Sequence, residues 1–287
     1  MITHIAKQSF AIRFIILRIF KILIFMLMTF FTLMPIMWGI ITSFKGKRDV
    51  YAYPPKFFNF NGTFENYRTI IEGGYLRTFN NSIFYSLVSV IFGLFIGMIA
   101  AYALQRCRFP FRRIFFYLVI AGIPLSIGSA ALLIPNYLYM SVLGFIDRPF
   151  TLIIMYTAYN LPMAIWVIKG GIETIPLEIE EAAAIDGCSR RYIIFHLVPV
   201  LNRPAMVSAA LLIFIGVWNE FILASVMINS SNLRPVQQSI YHHMGFFGLD
   251  WGLLTASTSL AVIPTIIIFS FLSKLLVSGL TQGSVKG

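Results

Sequence analysis

Long runs with little or no charge alternate along the chain with short, charge-dense connections. The runs lack the strict apolar–polar alternation of barrel strands. About 20 apolar residues in a helix cross a bilayer, and a helix satisfies its own backbone polar groups in lipid. Six spans are predicted, near 17–41, 80–104, 114–138, 150–169, 204–228 and 254–277. The run from Ile22 to Phe44 exceeds the roughly 7–15 apolar residues of a signal peptide. No small-residue cleavage site follows it, so it reads as a retained first helix. The chain is expected to be one all-α integral membrane domain, 1–287.

Composition agrees: 58% of the 287 residues are hydrophobic and 11% charged, against roughly a quarter charged in soluble domains. The net charge of +11 does not point to nucleic acid, because no basic soluble domain carries it. Basic excess in a membrane protein marks cytoplasmic loops facing anionic lipid. Lys7, Arg13, Arg18 and Lys21 open the chain, and Arg106, Arg108, Arg112 and Arg113 crowd "QRCRFPFRR". Lys169, Arg190, Arg191 and Arg203 follow between spans four and five, and Lys274 and Lys286 lie at the end. With six spans these fall on one side, predicted cytoplasmic together with both termini. The first outer loop holds Lys45, Lys47, Arg48, Lys56, Arg68 and Arg77, which weakens the count without reversing it. Cys107 and Cys188 are too few for a disulfide framework and read as free thiols.

One charged segment interrupts the pattern: "PLEIEEAAAIDGCSRRYIIFHLVP", Pro176 to Pro199, within the connection 170–203. Pro176 suits a first helical position. Glu178, Glu180 and Glu181 suit the positive end of a helix dipole, and Ala182–Ala184 are strong helix formers. Asp186 and Gly187 end the helix, with glycine free to turn left-handed. Ser189 can cap a second helix that runs to Pro199. The expected product is a short helix of roughly 15 Å, a sharp turn and another helix. Its acidic residues ring a smooth alanine surface that another protein's cleft can approach.

"EAAAIDG", Glu181 to Gly187, resembles the EAA signature of permease subunits of ATP-binding-cassette importers. Glu181, Ala182, Ala183 and Gly187 match, and Leu197 stands at the later isoleucine position. Pro199 comes one residue early, and Val200 occupies the expected proline position. "VWNEFILA" and "IPLEIEEAA" resemble carbohydrate importers. "GLTQGSVKG", Gly279 to Gly287, resembles the C-terminal tail of the smaller permease subunit of maltose-type importers. The resemblance implies a type I importer permease fold with a cytoplasmic coupling helix, in a bacterial cytoplasmic membrane. It implies that Glu181, Ala182, Ala183, Asp186 and Gly187 dock on an ATPase, and that the tail with Gly279, Gln282 and Gly283 reaches the ATPase interface. The implied partners are a second permease, two ATPase subunits and an extracytoplasmic solute-binding protein. ATP and Mg would sit on the ATPases; no cofactor is expected on this chain.

Within the spans, Trp218, Asn219 and Glu220 are the main polar candidates. An intramembrane acid normally faces a bundle interior, a cavity or a partner. It either lines a sugar path beside the aromatic ring or bonds a neighbouring helix. Asn136 with Tyr137, and Asn160 with Pro162, are weaker candidates. Gly122, Pro124, Gly128 and Pro135 interrupt the third run, as a packing kink or at a substrate path. His242 and His243 adjoin without acids or cysteines nearby, so no metal is expected. There is no P-loop, nucleophile elbow or HExxH. The leading expectation is a sugar-importer permease. Other cargo (polyamine, glycerol phosphate, anionic saccharide) and an ion-coupled transporter relying on Glu220 stand as alternatives.

Overall fold

The computed structural model describes residues 2–126, 130–245 and 248–282, with side chains for 16–124, 132–244 and 249–271. Apart from the single turn Lys47–Val50, the helices begin as α1 (Ile2–Ser43), α2 (Glu65–Glu72), α3 (Tyr75–Arg106), α4 (Arg112–Ser126), α5 (Ala130–Val142) and α6 (Pro149–Glu173). They continue as α7 (Leu177–Ile185), α8 (Arg190–Leu201), α9 (Arg203–Trp218), α10 (Ile222–Met227), α11 (Val236–His242) and α12 (Trp251–Gln282). Among the described residues, named strands are limited to the two-residue stretches Met244–Gly245 and Gly248–Leu249.

Among the described residues, four helical stretches are each long and apolar enough to cross a bilayer: Ile16–Ser43, Tyr75–Arg106, Pro149–Glu173 and Trp251–Phe271. The third and fifth expected spans are not described as single rods. In the third, α4 and α5 flank 127–129; Gly128 lies outside the described residues. Pro124 and Pro135 sit inside α4 and α5. In the fifth, α9 stops at Trp218 after 16 residues, about 24 Å, and the chain resumes as α10. Asn219 and Glu220 supply polar partners for the backbone groups freed at this break.

The chain forms two compact units, residues 1–72 with 245–259 and residues 73–244 with 260–287. In the first, the end of α1 is fastened by Asn66, whose Nδ2 donates to the Ser43 and Lys45 carbonyls at 2.8 and 2.9 Å. Lys45 is buried, with its Nζ 4.0 Å from the centre of the Trp38 ring. Burial lowers its pKa, against the opposing pull of Asp49. Lys47 pairs with Asp250, Lys56 with Asp49 and Arg68 with Glu72. Most of the basic first loop is therefore locally engaged. The apolar side chains of α1 from Ile16 onward are largely exposed, as suits lipid.

The second unit is built on α3, α6 and α9. On α3 the buried positions Ser82, Ser86, Ser89, Gly93, Gly97 and Ala101 recur every three or four residues. Such small side chains let helix backbones approach closely within a membrane. A Cβ on Gly93 would lie 2.8 Å from Ile213 Cδ1 of α9, and one on Gly97 would lie 3.3 Å from Ile168 Cδ1 of α6. Larger apolar side chains from the facing helices fill the remaining space, including Leu152, Ile168 and Ile213.

Candidate functional site

The charged segment folds largely as its residues dictate. Pro176 is the cap before α7 rather than its first helical residue, with ψ 136°. Extended ψ there lets the chain enter the helix from the preceding turn. Gly187 has φ 87°, the left-handed conformation glycine supplies at little strain. Ser189 Oγ accepts from the Tyr192 amide at 3.3 Å and caps α8. Pro199 does not end α8. A π turn spans Ile193–Leu197, and Pro199 then falls in the first turn of the following helical stretch. The helix ends two residues later, and α9 leaves at 82°. Asn202 is buried at that corner, donating to the Ile168 carbonyl at 3.0 Å.

The acids of α7 do not all face outward. Glu180 is 5% exposed. Its carboxylate accepts from Arg106 Nε at 2.7 Å and from the Tyr102 hydroxyl at 2.9 Å. Arg106 also donates to the Ile172 and Ile175 carbonyls at 3.2 and 2.7 Å. This corrects the expected ring of exposed acids: one acid turns inward and clamps α7 to the end of α3. Ala183 packs inward as well. The other helical stripe faces outward, with Glu178, Glu181, Ala182 and Ile185 exposed, Ile185 by 86%. Asp186 and Gly187 are exposed beside it. The arrangement is an anchored helix whose outward stripe shows small, acidic and apolar side chains with no partner among the described residues.

Trp218, Asn219 and Glu220 lie at the break between α9 and α10, in three different settings. Trp218 is 1% exposed; its indole N–H donates to the Ala261 carbonyl at 3.0 Å, and Phe214 stacks on it. Asn219 is exposed, and its amide donates to the Ile215 carbonyl at 3.0 Å. Glu220 accepts from the Leu223 and Ala224 amides at 2.6 and 3.1 Å and from the Tyr156 hydroxyl at 3.1 Å. It thus closes the N-terminus of α10 and ties it to α6. Of the weaker candidates, Asn136 bonds Tyr159 across α5 and α6, and Asn160 packs against Gly216. Gly279 and Gln282 lie on the backbone of α12 without described side chains, and Gly283 lies outside the described residues.

The sequence reading missed two features. One is the Glu180–Arg106–Tyr102 clamp. The other is a set of ties that fixes the segment after α10. Asp147, at φ 61°, accepts from the Asn229 and Ser230 amides at 3.1 and 2.9 Å and from the Ser230 hydroxyl. These donors hold its carboxyl below the usual value, the Ser230 hydroxyl most strongly. Among the described residues, no group of three His, Cys, Asp or Glu side chains could hold a metal.

Membrane-length helices with an anchored hairpin between them define a multi-pass helical membrane protein. Residues 93–282 match the family of binding-protein-dependent transport system inner membrane components, and the chain belongs to it. It is 31% identical over 256 residues to the diacetylchitobiose uptake system permease protein DasC of Streptomyces coelicolor, covering 88% of this chain and 91% of that one. It is 30% identical over 276 residues to the trehalose/maltose transport system permease protein MalG of Thermococcus litoralis, covering 94% and 97%. In fold it is similar to a chain of a bacterial ABC transporter that imports the acidic polysaccharide alginate. The TM-score is 0.76 at 24% identity, covering 90% of this chain and 96% of that one.

Proposed function

We propose that this chain is one permease half of an ATP-driven sugar importer, with a second permease completing the translocation path. The anchored helix carries the reading: Glu180 fixes α7 from inside while Glu181, Ala182, Ile185 and Asp186 remain exposed for docking. In this reading two ATPase subunits bind that stripe, Ala183 and Gly187 shape it, and Gly279, Gln282 and Gly283 reach the same interface. ATP and Mg belong to those subunits. A solute-binding protein delivers cargo from outside, and both termini are cytoplasmic, on the side of the exposed Arg108 and Arg113. The relatives named for diacetylchitobiose and trehalose/maltose transport support an oligosaccharide as cargo. Six spans follow if α4 with α5, and α9 with α10, each count as one. Exposed Asn219 faces the path, while Trp218 and Glu220 hold the break in shape.

The test is co-purification of the tagged chain with its partners, comparing wild type with Ile185→Glu and Gly187→Pro. Ile185 is 86% exposed, so its replacement leaves the fold intact. The expected result is retention of the second permease and loss of the ATPase from both variants. An ATPase held equally by wild type and Ile185→Glu would overturn the docking assignment. Uptake of labelled oligosaccharides by cells carrying the full complex tests the cargo.

A further inference from the structure

A hollow of about 570 Å³ lies at the turn between α3 and α4, lined by Arg108, Phe109, Phe111, Arg112, Arg113 and Ile114. Half of the lining is arginine and none of it is acidic. Arg108 and Arg113 are exposed and, among the described residues, make no hydrogen bond or ion pair. Arg112 is half-buried, and its Nη1 donates to the Gln105 and Cys107 carbonyls at 3.4 and 3.2 Å. Arg190 of α8 donates to Cys107 Sγ at 3.6 Å, which brings a fourth guanidinium to the turn. Helix α4 starts at Arg112 with no acid in its first turn, so the positive end of its dipole adds to the same field. Apolar side chains share the hollow. Phe111 is 70% exposed and takes φ 61°. A bulky side chain is an outlier in that left-handed region, where glycine sits without strain; such strain gathers at functional sites. Phe109 and Ile114 are exposed on the same turn. The turn joins membrane-length α3 to the apolar run from Ile114 to Ile123. It therefore sits at the depth where headgroups meet acyl chains.

We propose that this turn binds the headgroup of an anionic phospholipid. The phosphate oxygens accept from Arg108 and Arg113, whose planar guanidiniums match phosphate with paired bonds. Arg112, fixed from behind through Nη1, and Arg190 add positive charge around it. The Phe111 ring, with Phe109 and Ile114 beside it, lies against the glycerol backbone and the upper acyl chain. Free phosphate would satisfy the arginines and leave the exposed rings in water. An acidic protein segment would do the same. A lipid meets both halves of the surface, the charged and the apolar. Zwitterionic lipids carry the same phosphate, but their ammonium group offsets its charge, so basic surfaces select anionic headgroups. The inference needs only the membrane setting and is independent of the cargo.

The test uses the intact complex in mild neutral detergent, titrated with phosphatidylglycerol or phosphatidylcholine and read by native mass spectrometry. Wild type should bind phosphatidylglycerol the more tightly. In Arg108→Gln/Arg113→Gln that affinity should fall about twenty-five-fold, roughly fivefold for each arginine lost. Arg191→Gln/Arg203→Gln removes the same charge at two other exposed arginines and should leave the affinity unchanged. Phe111→Gly removes the ring and relieves the left-handed backbone. It should weaken phosphatidylglycerol binding about fivefold, while the unfolding midpoint without lipid holds or rises. Recovery of the complex with an unchanged midpoint checks the fold of the arginine variants. Wild-type affinity in Arg108→Gln/Arg113→Gln would overturn the site. So would an equal loss in the charge-matched pair, which would reduce the effect to general surface charge. Displacement of the lipid by excess inorganic phosphate would assign the arginines to a free anion and overturn the lipid. A partner subunit lost from Arg108→Gln/Arg113→Gln with lipid binding intact would make the turn a protein contact instead.

Discussion

Glu180→Ala cuts the clamp between α7 and α3. The substitution removes both bonds to the carboxylate and leaves the Arg106 guanidinium, 11% exposed, without its counter-charge. Removing one partner of a buried ion pair costs about 3–5 kcal/mol. Arg106 keeps its bonds to the Ile172 and Ile175 carbonyls, which places the loss at the lower end, about 3 kcal/mol. Tyr102→Phe removes one bond to a charged acceptor, about 1.5 kcal/mol. Glu178→Ala, at an exposed position of the same helix, should fall within about 0.5 kcal/mol of wild type.

Limited trypsin digestion reads the difference locally. Arg191 is exposed just beyond the Gly187 turn, and cleavage there creates a new N-terminus at Tyr192, measured by mass spectrometry. When opening is fast relative to cleavage, the rate follows the population of the opened hairpin. A loss of about 3 kcal/mol therefore speeds cleavage by roughly a hundredfold. The order of rates should be Glu180→Ala, then Tyr102→Phe, then Glu178→Ala together with wild type. Equal rates for Glu180→Ala and Glu178→Ala would show that the clamp does not hold the hairpin.

Gly93→Leu places a side chain where even a Cβ meets Ile213 at 2.8 Å; it should destabilise the α3–α9 packing by about 1–3 kcal/mol, visible as a lower unfolding midpoint in detergent. Glu220→Gln keeps one acceptor for the amides at the start of α10 and should retain transport, whereas Glu220→Ala removes all three bonds and should lower stability by about 2–3 kcal/mol. Transport abolished by Glu220→Gln in a stably folded protein would favour the ion-coupled alternative. Asp147 has a lowered folded pKa, so its contribution is fully present above its ordinary value of 3.8 and is lost as pH falls through the lower folded value. The gap in unfolding midpoint between wild type and Asp147→Asn should be flat above about pH 5 and shrink below about pH 4.

Much of the architecture is legible from local sequence. Charge-free runs mark the long helices, and an alanine run followed by Asp186-Gly187 specifies a helix with a left-handed stop. What stays hidden depends on distant partners or averaged signals. Nothing within nine residues of α7 says which acid turns inward, because the answer is set by Tyr102 and Arg106, 78 and 74 residues earlier. The break at 219–221 is masked because Phe221, Ile222 and Leu223 restore hydrophobicity at once. The only local sign is the Asn219-Glu220 pair, and glutamate is not among the strongly preferred helix caps. Lys45 reads as an outer-loop charge until the fold wraps Trp38 over it.

Helix α3 is tied to other elements near both of its ends. With 32 residues, α3 is about 48 Å long and continuous, unlike the fifth span. Near its end, Tyr102 and Arg106 grip Glu180 of the α7–α8 hairpin. Near its start, the Asn81 amide and Tyr85 hydroxyl donate to the carbonyls of Asn232, Leu233 and Arg234. Ser82 Oγ accepts from the Val236 amide at 2.7 Å. These partners form the stretch that leads into α11. Between its ends, the small-residue stripe seats α3 tightly against α6 and α9, and close-packed interfaces shift between discrete arrangements more readily than they deform. A displacement at the hairpin therefore has a rigid route to the segment beside Arg234.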